Sequence, residues 1–299
     1  MKTFFRLCLL TLLAIPLPAC GGPASLALSG VPATVSADEA PSRADLPFAI
    51  ISETRDDPPM RLWIVRIDLT HPRAQVRVVP AGDDPDGPGP WQTTLAPVSS
   101  IASRERFDLA VNASFFSVDK TGPWAEGGYK VDQPAAAMGW TMTDSRLWSR
   151  SREDWPVLWI DAHNRAHITD TRAISPDARQ MVAGNAWILR NGQDRVPTEG
   201  MMTVRHPRTA VGIDAEGKTL TILIVDGRQP GVSVGMTGAE MLLEFQKHGV
   251  VNAINLDGGG STTLVRREVQ SGEFQIVNRP SDGKERPVAN VLGVGRSGG

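Results

Sequence analysis

The sequence predicts an α+β protein, a single domain built on a strand-rich mixed sheet with a few packed helices. Three observations lead there. Short β-branched and aromatic runs, bounded by turn formers, recur along most of the chain. One capped amphipathic helix stands between two of those runs, and no repeat or second linker divides the chain after about residue 46. The chain has 299 residues, 41% of them apolar, which is ample for one large core. Its formal net charge of −2 lacks the basic excess of a nucleic-acid binder, so no nucleic-acid partner is expected.

Residues 1–19 read as a signal peptide. Lys2 and Arg6 precede an apolar run, Leu7 to Leu17, that is too short to span a bilayer as a stable helix. The run ends in Leu17-Pro18-Ala19-Cys20-Gly21, which resembles a bacterial lipobox, with Pro18 in place of the usual small residue. Cleavage before Cys20 and lipidation of its thiol would anchor the chain to a membrane through several acyl chains. The alternative is an ordinary secretory signal, with Cys20 incidental. Cys8 leaves with the signal and Cys20 carries lipid, so no disulfide is expected despite an oxidising compartment. Residues 20–45, rich in Ala, Ser, Pro and Gly, form a flexible tether to a domain spanning 46–299. The expected location is the cell envelope, on the periplasmic or extracellular side of the membrane.

Strands are expected at Leu62 to Leu69, Ala74 to Val79, Val157 to Asp161, Thr219 to Val225 and Val250 to Leu256. Asp83 to Pro90 is a loop, and Asp161 to His167 reads as a hairpin turn. His163 and His167 would share a face on a helix and could then hold a metal, but a hairpin does not present that face. Ile213 to Lys218 is a second hairpin turn. In the helix, Thr237 is the N-cap, Glu240 completes a capping box and Gly249 follows the last turn. Met241, Leu242 and Phe245 give its buried stripe, with Glu244 and Lys247 facing water. Asp226-Gly227-Arg228 and Asp257-Gly258-Gly259 each follow a strand. If those strands are parallel neighbours, both motifs emerge at one sheet edge.

The most informative run is Asn255-Leu256-Asp257-Gly258-Gly259-Gly260-Ser261. Three glycines after a strand permit φ > 0 and leave no Cβ between backbone N–H groups and a ligand. Successive N–H groups in such a turn can cradle an anion. An aspartate beside an anion site is electrostatically awkward, which marks it as a reacting or hydroxyl-binding group.

This motif, with Asp226-Gly227-Arg228, resembles the phosphodiester glycosidases, which remove a sugar from a sugar-1-phosphodiester. Asn112-Ala113-Ser114-Phe115-Phe116 is similar to that family's Asn-Gly-Gly-Phe-Phe, with Ala113 and Ser114 in place of the two glycines. Pro207-Arg208-Thr209 and the closing stretches Asn278 to Asp282 and Glu285 to Asn290 also fit, in order. The resemblance implies hydrolysis of a glycosyl-1-phosphodiester in a cell-envelope or exopolysaccharide glycan. Asp257 would be base or nucleophile, with Asp226 second and His206 as a proton-transfer group. Arg208 and Arg228, helped by the backbone of Gly258, Gly259 and Gly260, would stabilise the departing phosphate. Asn112, Thr209, Asn255 and Ser261 would orient sugar or phosphate. No cofactor is certain. A divalent cation on Asp226 and Asp257 belongs to the alternative of a phosphodiesterase that cuts at phosphorus. The other alternative is a non-catalytic glycan-binding lipoprotein. Trp91, Trp124 and Trp140 lie in loop-rich sequence where an indole could stack on a sugar, and Glu126 is a loop carboxylate near them. Trp63, Trp159 and Trp187 fall in strand-like runs and read as core.

Overall fold

A computed structural model describes residues 45–152 and 154–295. The signal segment, Cys20 and the tether as far as residue 44 lie outside the described residues.

The fold is β-rich, and the expected α+β mixed sheet is corrected. Among the described residues there are twenty strands and two α-helices, Val98–Arg104 and Gly238–Lys247. Every pairing between strands is antiparallel. The largest sheet has seven strands in the order Phe48–Asp56, Pro59–Asp68, Thr219–Val225, Arg208–Ile213, Asn252–Asn255, Ala186–Arg190 and Gln193–Asp194. Two five-stranded sheets and one of three strands complete the architecture. One is centred on Phe107–Asn112 and Asn290–Gly295, the other on Pro156–Asp161 and Ala178–Ala183.

The physical reason for the correction is in the strand–helix–strand stretch from Thr219 to Asn255. It reads like a parallel crossover unit, and its two strands do run the same way. They are not neighbours, because Arg208–Ile213 lies between them and pairs antiparallel with both. Elsewhere, links of hairpin length force antiparallel pairing. Ile213 faces Leu220 across the expected turn at 213–218, and Ile160 faces Ala166 across the turn at 161–167. In that second turn Asn164 takes φ +58, while His167 stacks on Trp159 with ring centroids 4.0 Å apart.

The seven-stranded sheet is covered on both faces, which is why its inner strands read as apolar runs instead of alternating. One face joins the principal core: Val65, Val211, Ile222 and Ile254 pack with Leu109, Val111, Leu292, Leu158 and Val182 from the other sheets. The opposite face, with Ile64, Leu223 and Ala253, receives Met241 and Phe245 of the Gly238–Lys247 helix. Burial of a side chain such as Phe245 contributes about 1.5–3 kcal/mol. The Thr237–Glu240 capping box forms in full. Glu244, expected to face water, is instead 2% exposed and pairs with Arg55 at 2.5 Å. The exposed residue of that turn is Leu243.

Candidate active site

Antiparallel pairing places three chain segments at one sheet edge. Arg208 lies opposite Val225, and Ala210 opposite Asn255, so the start of the 208–213 strand sits between the ends of its two neighbours. His206 and Arg208 thus meet the segment after Val225, which carries Asp226 and Arg228, and the segment after Asn255, which carries Asp257 to Ser261. The two motifs share an edge as expected, separated by one strand. A pocket of about 200 Å³ opens there, lined by His206, Pro207, Arg208, Arg228, Asn255, Asp257, Gly258, Gly259 and Gly260, together with Phe115, Met201 and Arg286.

Asp257 is pinned through its backbone. Its N–H donates to the carbonyl of Ala113 at 3.0 Å, and its carbonyl accepts from Asn112 Nδ2 at 2.6 Å. Its Oδ1 accepts the N–H of Gly258 at 2.9 Å. Burial strips water from the carboxylate and pushes its pKa up to about 6, against the opposing influence of Ser261, Arg286 and the Gly258 N–H. The Ser261 hydroxyl is close enough to favour the charged form, although it completes no hydrogen bond of normal geometry.

The cations around this carboxylate are unusual in their partners. Arg208 is 3% exposed and spends its donors on main-chain carbonyls: Nε on Met236 at 2.9 Å, Nη2 on Met201 and Val204 at 2.5 and 2.7 Å. Burial, and then the neighbouring Arg228, bring its pKa down to about 10, so it stays cationic at neutral pH. Arg228 is exposed, at φ +60. Among the described residues neither arginine has a carboxylate partner. Two unneutralised guanidinium groups beside one pocket attract an anion. Arg286, the third, is held by Asp282 through Nε at 2.9 Å and lies over the ring of Tyr129 at 4.6 Å.

The glycines serve this arrangement differently from the expected anion cradle. The Gly258 N–H is taken by Asp257 and the Gly259 N–H by the carbonyl of Pro207 at 2.9 Å. What the missing side chains provide is room. A Cβ on Gly259 would sit 3.1 Å from Arg228 Nη2, and a Cβ on Gly260 would collide with the guanidinium of Arg286. Gly259 also has φ +62, a conformation that L side chains rarely adopt.

Two pocket residues carry unused polar atoms. His206 Nδ1 is buried without a hydrogen-bond partner. Burial, then Arg208 and Arg228, hold the pKa of this ring below the usual histidine value, which keeps it neutral at pH 7. Asn255 is 1% exposed; its Nδ2 donates to Asn185 Oδ1 at 2.8 Å while its own Oδ1 has no partner. Both can accept a proton or a hydrogen bond from a ligand.

Other expected site residues stand behind the pocket instead of in its wall. Asn112 and Thr209 are buried; Thr209 Oγ1 donates to Asn112 Oδ1 at 2.8 Å, and so does the N–H of Thr263 at 3.1 Å. They support Asp257 without facing the pocket. Ser261 is fully buried next to that carboxylate. Asp226 is turned away: its carboxylate accepts Asn278 Nδ2 and the N–H of Arg279, each at 3.0 Å. Burial pushes its pKa up to about 6, against those hydrogen bonds. Asp226 and Asp257 therefore do not converge as a pair, and among the described residues no group of three or more His, Cys, Asp or Glu is gathered to hold a metal.

None of the tryptophans lines the pocket, and Glu126 does not reach it; the aromatic there is Phe115, which meets Trp155 edge-on at 5.7 Å. Trp159 is buried, and Trp63 and Trp187 pack against the principal core. Phe115, Met201 and Arg286 are the pocket residues that sequence reasoning missed. Phe115 and Arg286 stand inside motifs quoted above, Asn112 to Phe116 and Glu285 to Asn290, so their signal was available. Met201 has none.

The fold and site together define a β-rich domain with one carboxylate set among guanidinium groups at a sheet edge. The family model for phosphodiester glycosidases matches residues 105–295, and the chain belongs to that family. It is 36% identical over 215 residues to the SPbeta prophage-derived uncharacterized protein YomE of Bacillus subtilis (strain 168), covering 68% of this chain and 30% of that one. It is 40% identical over 103 residues to the N-acetylglucosamine-1-phosphodiester alpha-N-acetylglucosaminidase of Bos taurus, covering 29% of this chain and 19% of that one. The chain thus spans less than a third of the length of either relative. The fold is similar to the catalytic domain of the zebrafish N-acetylglucosamine-1-phosphodiester alpha-N-acetylglucosaminidase auto-inhibited by its pro-peptide. The TM-score is 0.58 at 22% identity, over 83% of this chain and 82% of that one.

Proposed function

We propose that the protein hydrolyses a glycosyl-1-phosphodiester at the anomeric carbon, within a cell-envelope or exopolysaccharide glycan. The observation that carries this reading is the juxtaposition of one carboxylate, Asp257, with two guanidinium groups that lack carboxylate partners, Arg208 and Arg228. A phosphodiester monoanion satisfies those cations and brings its anomeric carbon to the carboxylate. The C1–O bond breaks with its electron pair moving to the bridging oxygen, and water supplies the hydroxyl at C1. Phosphomonoesters have a second pKa near ~6, so the departing group needs far less proton donation than a sugar alcohol. Stabilising its charge is the larger task, and arginine does this through paired hydrogen bonds. Asp257 acts as base or nucleophile, and neutral His206 takes up the proton released from water. Met201 and Phe115 offer an apolar wall to the sugar. Cys20, as the lipidated residue, would hold the domain at the membrane.

The reading is tested by phosphorus NMR of the full chain with glycosyl-1-phosphodiesters in ¹⁸O-labelled water. An unlabelled phosphomonoester product is expected. Label on phosphorus would assign the cut to the P–O bond instead, and no turnover of any substrate would favour a binding protein.

A further inference from the structure

A second cleft, of about 650 Å³, shares no lining residue with the catalytic pocket. It lies between the loop after the Gln75–Pro80 strand and the hairpin of Thr141–Thr143 and Arg146–Ser149. Its wall includes the part-exposed indole of Trp148, whose orientation is fixed twice over. Trp148 Nε1 donates to Thr143 Oγ1 at 3.0 Å, and Thr143 Oγ1 donates to the carbonyl of Val78, in a strand of another sheet, at 2.5 Å. Around the ring stand polar groups of both kinds. The carboxylate of Asp83 and the guanidinium of Arg146 form no hydrogen bond or ion pair among the described residues. Asp84 Oδ1 accepts the N–H groups of Asp86 and Gly87, at 3.1 and 2.7 Å, which curls the loop around the cleft.

We propose that this cleft is a second, non-catalytic glycan site that takes a neutral or amino-bearing pyranose chain on Trp148. A pyranose has an apolar C–H face and an edge of hydroxyls that donate and accept. A rigid indole meets the first, and Asp83 and Arg146 the second. Carboxylates outnumber cations in the wall, with Asp83, Asp84 and Asp144 against Arg146, so a phosphate-rich or otherwise polyanionic chain is disfavoured. Such a site would hold the body of a glycan while the catalytic pocket works on its phosphodiester.

The glycan class rests on the reading of the catalytic pocket given above, but the test contains no phosphodiester, so each can fail alone. The full chain carrying Asp257→Asn is titrated with cellohexaose, maltohexaose, chitohexaose and fully de-acetylated chitohexaose, following tryptophan fluorescence and calorimetric heat. Saturable binding of at least one is expected, about tenfold weaker after Trp148→Ala. Asp83→Ala alters an exposed, unpartnered group without threatening the fold, and it too weakens binding. Binding of none of the four overturns the proposal. So does binding that both variants leave intact, or a preference for basic peptides over all four sugars.

Discussion

Asn112 donates its side-chain amide to the main-chain carbonyl of Asp257 at 2.6 Å, tying residues 145 positions apart. Its Oδ1 is saturated by Thr209 Oγ1 and the Thr263 N–H, so the amide cannot rotate away. Asn112→Ala would leave buried donors and acceptors unpaired, costing about 2–3 kcal/mol. Displacing Asp257 by even ~1 Å would lower kcat about 100-fold, with a smaller change in KM. Thermal denaturation with steady-state kinetics checks both, and an unchanged kcat would remove Asn112 from any positioning role.

Asp257 carries a pH signature in stability as well as in rate. Its pKa of about 6 lies above the ~3.9 of an unfolded aspartate. The folded chain therefore binds more protons between those values and loses stability as pH rises through that window. Asp257→Asn should abolish hydrolysis yet make the domain more stable at pH 7–8, by up to ~3 kcal/mol. In the wild type, kcat/KM should fall about tenfold per unit below pH ~6. Denaturant titrations of both proteins across pH 4–8 make the comparison; a less stable Asn variant would contradict it.

Asp226 has the same raised pKa but a different task. Its contacts with Asn278 and Arg279 tie the 226–228 segment to the closing stretch of the chain. Asp226→Ala should lower stability by about 2–4 kcal/mol, because it strands buried donors. Turnover per folded molecule should stay within roughly tenfold of wild type. Calorimetry and active-site titration separate the two, and a stable but inactive variant would return Asp226 to the chemistry.

Arg228 and Arg208 should divide cleanly. Arg228 is exposed and unpaired, so Arg228→Ala should raise KM for a phosphodiester 10- to 100-fold and leave Tm nearly unchanged. Arg208 is buried and holds three carbonyls, so Arg208→Ala should lower both Tm and kcat/KM. Kinetics over a range of ionic strengths tests the pair. Equal loss of stability in both would refute the division.

Gly260 tests the role of Arg286 without removing it. A Cβ at Gly260 would displace the Arg286 guanidinium, the far end of a flexible side chain, so the fold should survive Gly260→Ala. With that cation moved away, the Asp257 carboxyl should titrate higher still, and the acid limb of the rate profile should shift upward. An unshifted limb would mean that Arg286 does not act on Asp257.

The sequence by itself determined the family, the run around Asp257, the capped helix and the strands of the largest sheet. Each of these is local: a turn, a cap or an apolar run is written in adjacent residues. It also named most of the pocket wall, since His206, Arg208, Arg228, Asn255, Asp257 and the glycines all line it. Tertiary structure alone decided which strand separates Thr219–Val225 from Asn252–Asn255, and with that the antiparallel architecture. It also decided that Asn112 and Thr209 support Asp257 from behind, that Asp226 faces Asn278 and Arg279, and that Glu244 is buried against Arg55. The reason is physical. Whether an aspartate reacts, anchors a loop or faces water depends on which distant donors and cations pack against it, and burial decides how far its pKa moves. Those neighbours come from segments 50 to 190 positions away, where no local pattern in the chain records them.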